Sequence, residues 1–335
     1  MRNSKISGMG FYVPENIVTN DDLSKFMDTN DEWIRERTGI EERRWVEPGK
    51  DTTSGMGVKA AKMALKNANI SAQDIDFIIF ATLSPDYYFP GPGVQVQEAL
   101  GMDTVGALDV RNQCSGFVYA LSVADQFVKT GMYDNILVIG SELHSGGLDK
   151  TTRGRGVTVI FGDGAGAAVV TAAKGEGGIL STHLHSQGEH AKELALIGPA
   201  TNRWVNKIIE EADETDLSYF PYMNGNFVFK HAVTRFPEVI QEALDKNGFS
   251  TADIDLLVPH QANLRISQFI QRSMKLRDDQ VYSNIMRYGN TTAASIPIAL
   301  SEAIKEGKVK DGDLICLAAF GSGFTWASAL IRWES

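Results

Sequence analysis

The sequence predicts a layered α/β protein in which two halves, residues 1–174 and 175–335, repeat one pattern. Three observations carry this. "ISAQDIDFIIFATLSPD" (70–86) and "FSTADIDLLVPHQAN" (249–263) share one order: polar turn, Asp-Ile-Asp, apolar run, polar loop. Their Asp74 and Asp253 lie 179 residues apart. The same offset carries Gly140 in "NILVIGSE" onto Ala319 in "DLICLAAFGSG", again apolar runs that end in small residues.

The elements follow in order. "SGMGVKAAKMALKNA" and "VFKHAVTRFPEVIQEALDKNG" read as helices ahead of each Asp-Ile-Asp segment, and Pro237 should kink the second or mark its first turn. The runs 77–81, 136–139, 256–258 and 314–318 are apolar at consecutive positions, as in strands covered on both faces. "CSGFVYALSVADQFVKTG" and "NTTAASIPIALSEAIKEG" read as helices that open on small or polar residues and stop at glycine. The halves meet near "TAAKGEGGIL", with no low-complexity linker.

Composition narrows the function. Thirty-two basic against forty-two acidic residues give a net charge of −10, without long like-charge blocks, which argues against nucleic-acid binding through a globally basic surface. No apolar run reaches the ~20 residues of a membrane span, and "MRNSKISGMGFYVP" lacks the apolar core of a secretory signal. Two cysteines make neither a disulfide framework nor a four-ligand zinc site, so a cytoplasmic location is expected, with no metal.

Cys114 follows the strand-like "VGALDV" and a polar bend, where a helix should start. A helix N-terminus lowers a thiol pKa, which would favour a nucleophile over a buried inert cysteine. Cys316, mid-strand, reads as inert. His260 in "VPHQANLRI" stands at the carboxyl edge of a strand, where open α/β sheets bind ligands. Asn290 in "YGNTTAASIPIAL" is either a helix cap or, in the position that Cys114 roughly holds in the first half, a partner for it. A thiol, an imidazole and an amide at one sheet edge suit acyl transfer. The glycines of "FGDGAGAAVV" precede a strand-like run, which excludes a dinucleotide fingerprint. His183, His185 and His190 match no trusted metal spacing.

With these residues in view, the chain resembles the β-ketoacyl-acyl-carrier-protein synthase III family of the thiolase-fold superfamily over nearly its whole length. "DEWIRERTGIEERR", "FGDGAGAA", "PHQANLRI", "GNTTAASIP" and "FGSGFTWASALIRW" carry the resemblance jointly. It implies a five-layered αβαβα body. Cys114 would take an acyl group from acyl-CoA, and malonyl-carrier protein would then condense onto it with loss of CO₂. His260 and Asn290 would stabilise the enolate, and the N–H groups of Cys114 and Gly323 the tetrahedral oxyanion. The resemblance further assigns Trp33, Arg37, Thr38 and Arg155 to coenzyme A, and Lys230, Arg265 and Arg272 to an acidic acyl carrier protein. Phe89, Gln113 and Phe161 would shape the acyl pocket, Phe89 from the partner of a homodimer. No cofactor is implied beyond the coenzyme A thioester substrate.

Arg111, Asn112 and Gln113 replace the small residues usual before the cysteine, and "SPDYYFPGPG" is bulky, so the primer and the pathway, fatty-acid initiation or secondary metabolism, stay open. The alternatives are a ketosynthase with a non-acetyl primer and another acceptor, and a Cys-His-Asn thioester hydrolase. A hydroxymethylglutaryl-type synthase would need Asp86 or Asp109 as an extra acid.

Overall fold

Both Asp-Ile-Asp segments begin in the same way. Ser71 and Ser250 each close a capping box with the aspartate three residues on, Asp74 and Asp253, so a single 3₁₀ turn delivers the chain into the apolar run behind it. The computed structural model describes residues 2–198 and 217–334.

Nine strands make two sheets. The first contains β1 (Ser4–Tyr12), β2 (Phe77–Ala81), β3 (Gly106–Val110), β4 (Ile136–Glu142) and β5 (Gly164–Ala172), in the order β1-β5-β4-β2-β3. The second contains β6 (Gly178–Ser186), β7 (Leu256–Pro259), β8 (Leu314–Gly321) and β9 (Thr325–Arg332), in the order β6-β9-β8-β7. Read from β6, the second sheet repeats the first as far as β2. The repetition holds at the level of single residues: Phe77 pairs with Ile136 in parallel, and the residues 179 positions on, Leu256 and Ile315, pair in the same way.

Helices alternate with the sheets. α1 (Asp31–Thr38) buries Ile34 in a separate cluster with Trp45, Ile160 and Phe161. α2 (Thr53–Ala68) covers the outer face of the first sheet, burying Met56, Ala60 and Ala64 against Ile78, Phe80 and Val169. α3 (Gly116–Thr130) and α6 (Ser295–Lys305) fill the layer between the sheets, with Leu121, Val128, Ile296 and Leu300 packed against strands of both. α4 (Gly225–Asn247) and α5 (Leu264–Ser273) cover the outer face of the second sheet. The result is the five-layered αβαβα body. Sheets covered on both faces account for strands apolar at every position, since each such buried side chain is worth about 1.5–3 kcal/mol. Pro237 lies well inside α4, which continues through it to Asn247, so it does not mark the first turn.

The central layer also sets the site. The turn Thr292–Ala294 that opens α6 rests on Gly140 of β4, where an added Cβ would stand 2.4 Å from the Ala293 carbonyl oxygen. A glycine there lets the second half's turn settle against the first half's sheet.

Candidate active site

Cys114, His260 and Asn290 all line one cavity of about 370 Å³. Each arrives by a different route. Cys114 occupies the 3₁₀ turn Gln113–Ser115 between β3 and α3, buried, with Gly321 at the end of β8 pressed against it. A Cβ on Gly321 would come within 2.6 Å of the Cys114 sulfur, so no other residue fits there without displacing the thiol. His260 immediately follows β7, its N–H donating to Ala318 O at 2.8 Å. Asn290 is stapled across the halves: its N–H donates to Ile160 O at 2.9 Å, and its carbonyl accepts from Gly162 N–H at 3.1 Å.

The duplication places Asn290 differently from the sequence expectation. Gln113 and Thr292, related by the 179-residue offset, both have left-handed backbones, with φ of 43° and 50°. That register makes Ala293, not Asn290, the counterpart of Cys114. Asn290 stands three residues earlier, opposite Arg111. It is no helix cap for α6, since its Oδ1 accepts the N–H of Thr292 at 2.8 Å within the preceding turn. With the oxygen so committed, the amide NH₂ is what remains to donate into the cavity.

The His260 ring is oriented from behind. Nδ1 lies 2.6 Å from Ser295 Oγ, and that oxygen also receives a long contact (3.4 Å) from the Gln261 N–H. The Ser295 hydroxyl is placed to donate to Nδ1, and that arrangement leaves the hydrogen on Nε2. Nε2 is buried without a hydrogen-bond partner among the described residues. Burial holds the imidazole pKa down at about 3, with the nearby His144 ring adding to the effect, so His260 is a neutral donor at physiological pH.

The thiol departs from expectation. Burial, and then the carboxylate of Glu142, push its pKa up to about 12, outweighing the backbone N–H groups of Ser322 and Cys114 that bond to the sulfur. A helix start lowers a thiol pKa only where desolvation and nearby negative charge do not outweigh it, and here the thiol is buried close to an acid. Glu142, at the end of β4, is fully buried and itself raised to about 7 by burial. It accepts from Thr82 Oγ1 at 3.0 Å, Ser84 Oγ at 2.7 Å and the Leu83 N–H at 3.2 Å.

The remaining expected residues divide. Trp33, Arg37 and Thr38 of α1 and Arg265 of α5 line the cavity mouth. Arg37 and Arg155 both stand over the Trp33 indole, with guanidinium carbons 4.6 and 5.3 Å from the ring centre, although Arg155 does not line the cavity. Lys230 and Arg272 are exposed on α4 and α5. Phe161 lines the cavity, whereas Gln113 and Phe89 do not; Phe89 stands 81% exposed. In the turn after β8, Gly321 lies against Cys114, the N–H of Ser322 bonds to its sulfur, and Gly323 follows directly. Asp86 accepts the N–H groups of Thr53 and Ser54 at the start of α2, and Asp109 accepts from Gly93 N–H; neither lines the cavity. His183 and His185 share Glu242, and no metal-binding cluster occurs among the described residues. Cys316 is buried mid-strand, as expected. Ser295, Ser322, Glu142 and Thr292 went unnoticed in the sequence, since nothing in a Ser or Thr beside a motif tells which way its hydroxyl or amide faces.

Two sheets of repeated topology, sandwiching paired helices under a cavity that opens onto a cysteine, define a condensing acyltransferase of the thiolase fold. Residues 108–188 match the family model described as 3-oxoacyl-[acyl-carrier-protein (ACP)] synthase III, and residues 244–333 match its C-terminal counterpart. The chain belongs to the β-ketoacyl-[acyl-carrier-protein] synthase III family. It is 46% identical to the β-ketoacyl-[acyl-carrier-protein] synthase III of Rhodospirillum centenum, over 98% of this chain and 99% of that one. The crystal structure of 3-oxoacyl-[acyl-carrier-protein] synthase III from Aquifex aeolicus superposes with a TM-score of 0.90 at 43% identity, covering 98% of this chain and all of the other. The priming β-ketosynthase of the R1128 polyketide biosynthetic pathway has the same TM-score at 32% identity, over 99% and 97%.

Proposed function

We propose that the protein starts acyl chains: Cys114 is acylated by an acyl-CoA, and the acyl group is then extended by malonyl-acyl carrier protein. The observation that carries this reading is the pair of neutral donors, His260 Nε2–H and the Asn290 amide, on the cavity that holds Cys114. In the first step the sulfur attacks the thioester carbonyl carbon. The N–H groups of Cys114 and Gly323 hold the oxyanion, and coenzyme A leaves as its thiol, carrying the proton given up by Cys114. In the second step the malonyl C–C bond breaks, CO₂ departs, and the electron pair moves into an enolate whose oxygen accepts from His260 and Asn290. The enolate carbon attacks the acyl-cysteine carbonyl, the C–S bond breaks to release 3-oxoacyl-carrier protein, and the departing Cys114 sulfur takes a proton from solvent to become the thiol again. Fixed neutral donors suit this task because they stabilise forming charge without first giving up a proton. The reaction uses no cofactor, since coenzyme A enters as substrate and leaves as product.

Incubation with a panel of acyl-CoAs, followed by malonyl-carrier protein, tests the reading. A mass adduct at Cys114, then CO₂ and a 3-oxoacyl product, supports it. Free acid without condensation would instead identify a thioester hydrolase.

The carrier protein docks beside the cavity mouth, on Lys230, Arg265 and Arg272. Lys230→Ala and Arg272→Ala should each raise KM for malonyl-carrier protein several-fold, roughly the 0.5–1 kcal/mol of an exposed ion pair, with acylation by acyl-CoA little changed. Equal loss for both substrates would place the carrier elsewhere.

The working unit is a homodimer. Leu108 on the edge strand β3 is exposed, and so are Tyr87, Tyr88 and Phe89 in the loop after β2, at 59%, 63% and 81%, which leaves apolar side chains and an open sheet edge uncovered. Sedimentation should give twice the chain mass, and Leu108→Lys should shift it towards the monomer; a wild-type monomer at micromolar concentration sinks the dimer. Both cysteines are unpaired, and no helix among the described residues is long and apolar enough to cross a membrane, which fits a reducing cytoplasm.

A further inference from the structure

His144, two residues beyond β4, is a buried imidazole to which the chemistry above gives no part. Its Nε2 lies 2.7 Å from Thr292 Oγ1, and its ring rests on Phe161 with centroids 4.5 Å apart. The backbone beneath it is fixed by one carboxylate. Asp163 Oδ1 accepts the N–H groups of His144 at 2.7 Å and Ser145 at 2.9 Å, while Oδ2 accepts the Ser145 hydroxyl and the Val46 N–H. Thr292 in turn has a left-handed backbone, uncommon for a β-branched residue, and its N–H points at Asn290 Oδ1. Hydrogen bonds to the His144 backbone, its ring, the Thr292 hydroxyl and the Thr292 N–H therefore tie Asp163, His144, Thr292 and Asn290 together in series.

The direction of the last bond matters. A backbone N–H is satisfied only by the oxygen of the Asn290 amide, so it fixes which end of that amide faces the cavity. Were Thr292 to relax from its strained conformation, the amide would be free to turn and present its oxygen to a developing enolate, where like partial charges repel. We propose that His144 is a positioning residue for condensation: by holding the Thr292 hydroxyl it keeps the Thr292 N–H on Asn290 Oδ1 and the Asn290 NH₂ towards the substrate. The proposal rests on the functional reading above and adds to it a residue of the opposite half. His144 acts as a neutral ring, since burial holds its pKa down at about 3.

The test separates the two half-reactions. For wild type, His144→Leu, His144→Gln, Thr292→Val and Thr292→Ser, one measures the rate of Cys114 acylation by acyl-CoA and the rate of CO₂ release from malonyl-carrier protein. The Leu and Val variants should acylate within about twofold of wild type yet lose roughly tenfold or more in decarboxylation, the scale of one buried hydrogen bond. Gln and Ser, which keep a bonding group at the same place, should recover most of it. The two deficits should not multiply in the double variant His144→Leu/Thr292→Val, because both break one chain. Equal losses in both half-reactions, failure of Gln and Ser to recover, or wild-type decarboxylation in Leu and Val would overturn the proposal. If His144→Leu does not fold, the Val and Ser pair decides alone. A wild-type enzyme that never acylates Cys114 would overturn the functional reading, and this inference with it.

Discussion

Cys114→Ala is expected to abolish acyl transfer from acyl-CoA, a loss of roughly 10⁴-fold or more, because Cys114 carries the only thiol lining the cavity among the described residues, and the covalent intermediate forms on it. Intact mass after incubation with acyl-CoA is the direct check; an adduct on the alanine variant would move the nucleophile elsewhere. A finer expectation follows from the buried thiol. With its pKa pushed up to about 12, the free enzyme holds almost no thiolate at neutral pH. Alkylation of Cys114 by iodoacetamide should then rise about tenfold per pH unit from pH 6 to 9, since reactivity follows a small thiolate fraction that grows with pH. A plateau below pH 8 would mean that the thiol is already ionised. Nor is there a preformed thiolate–imidazolium pair, because burial holds His260 neutral. The proton leaves the sulfur only as it attacks, with the Ser322 and Cys114 N–H groups stabilising the charge.

The layered fold was legible because duplication leaves a trace that survives loss of identity. The 179-residue offset, read from two Asp-Ile-Asp segments, reproduces the parallel register of β2/β4 and β7/β8 to the residue. The positions of Cys114 and His260 followed, since both sit where a strand releases the chain. Asn290 is more instructive. It belongs at the cavity, but the 179-residue offset sets Ala293, not Asn290, against Cys114, and the left-handed backbones of Gln113 and Thr292 agree with that register. Which residue of a turn faces a cavity is decided by the fold and not by its place in the repeat. The thiol pKa was misjudged for a similar reason. A helix start is visible in sequence, whereas the buried Glu142 behind it is an ordinary strand-end residue until the fold brings the two together.

His260→Ala carries the second large effect, and it separates the roles of imidazole and thiol. The variant should still form the acyl adduct on Cys114, because neither Ser322 nor the cysteine backbone depends on the ring. It should lose about 10²–10³-fold in decarboxylation of malonyl-carrier protein, the usual consequence of deleting one oxyanion donor. Stopped-flow release of coenzyme A and of CO₂ follows the two steps separately. A hydrolase-type site, in which the imidazole deprotonates the thiol, predicts the opposite: acylation itself would collapse. The pH dependence of the wild type discriminates further. His260 drops from an ordinary 6.5 to about 3 in the folded protein, so it stays neutral from pH 5 upward and gains a charge only as the pH approaches 3. The decarboxylation rate with saturating malonyl-carrier protein should therefore show no inflection near 6.5 attributable to this ring. A rate that fell tenfold between pH 7 and 6 in wild type, and not in His260→Ala, would show that the imidazole takes up a proton in that range and acts as a base.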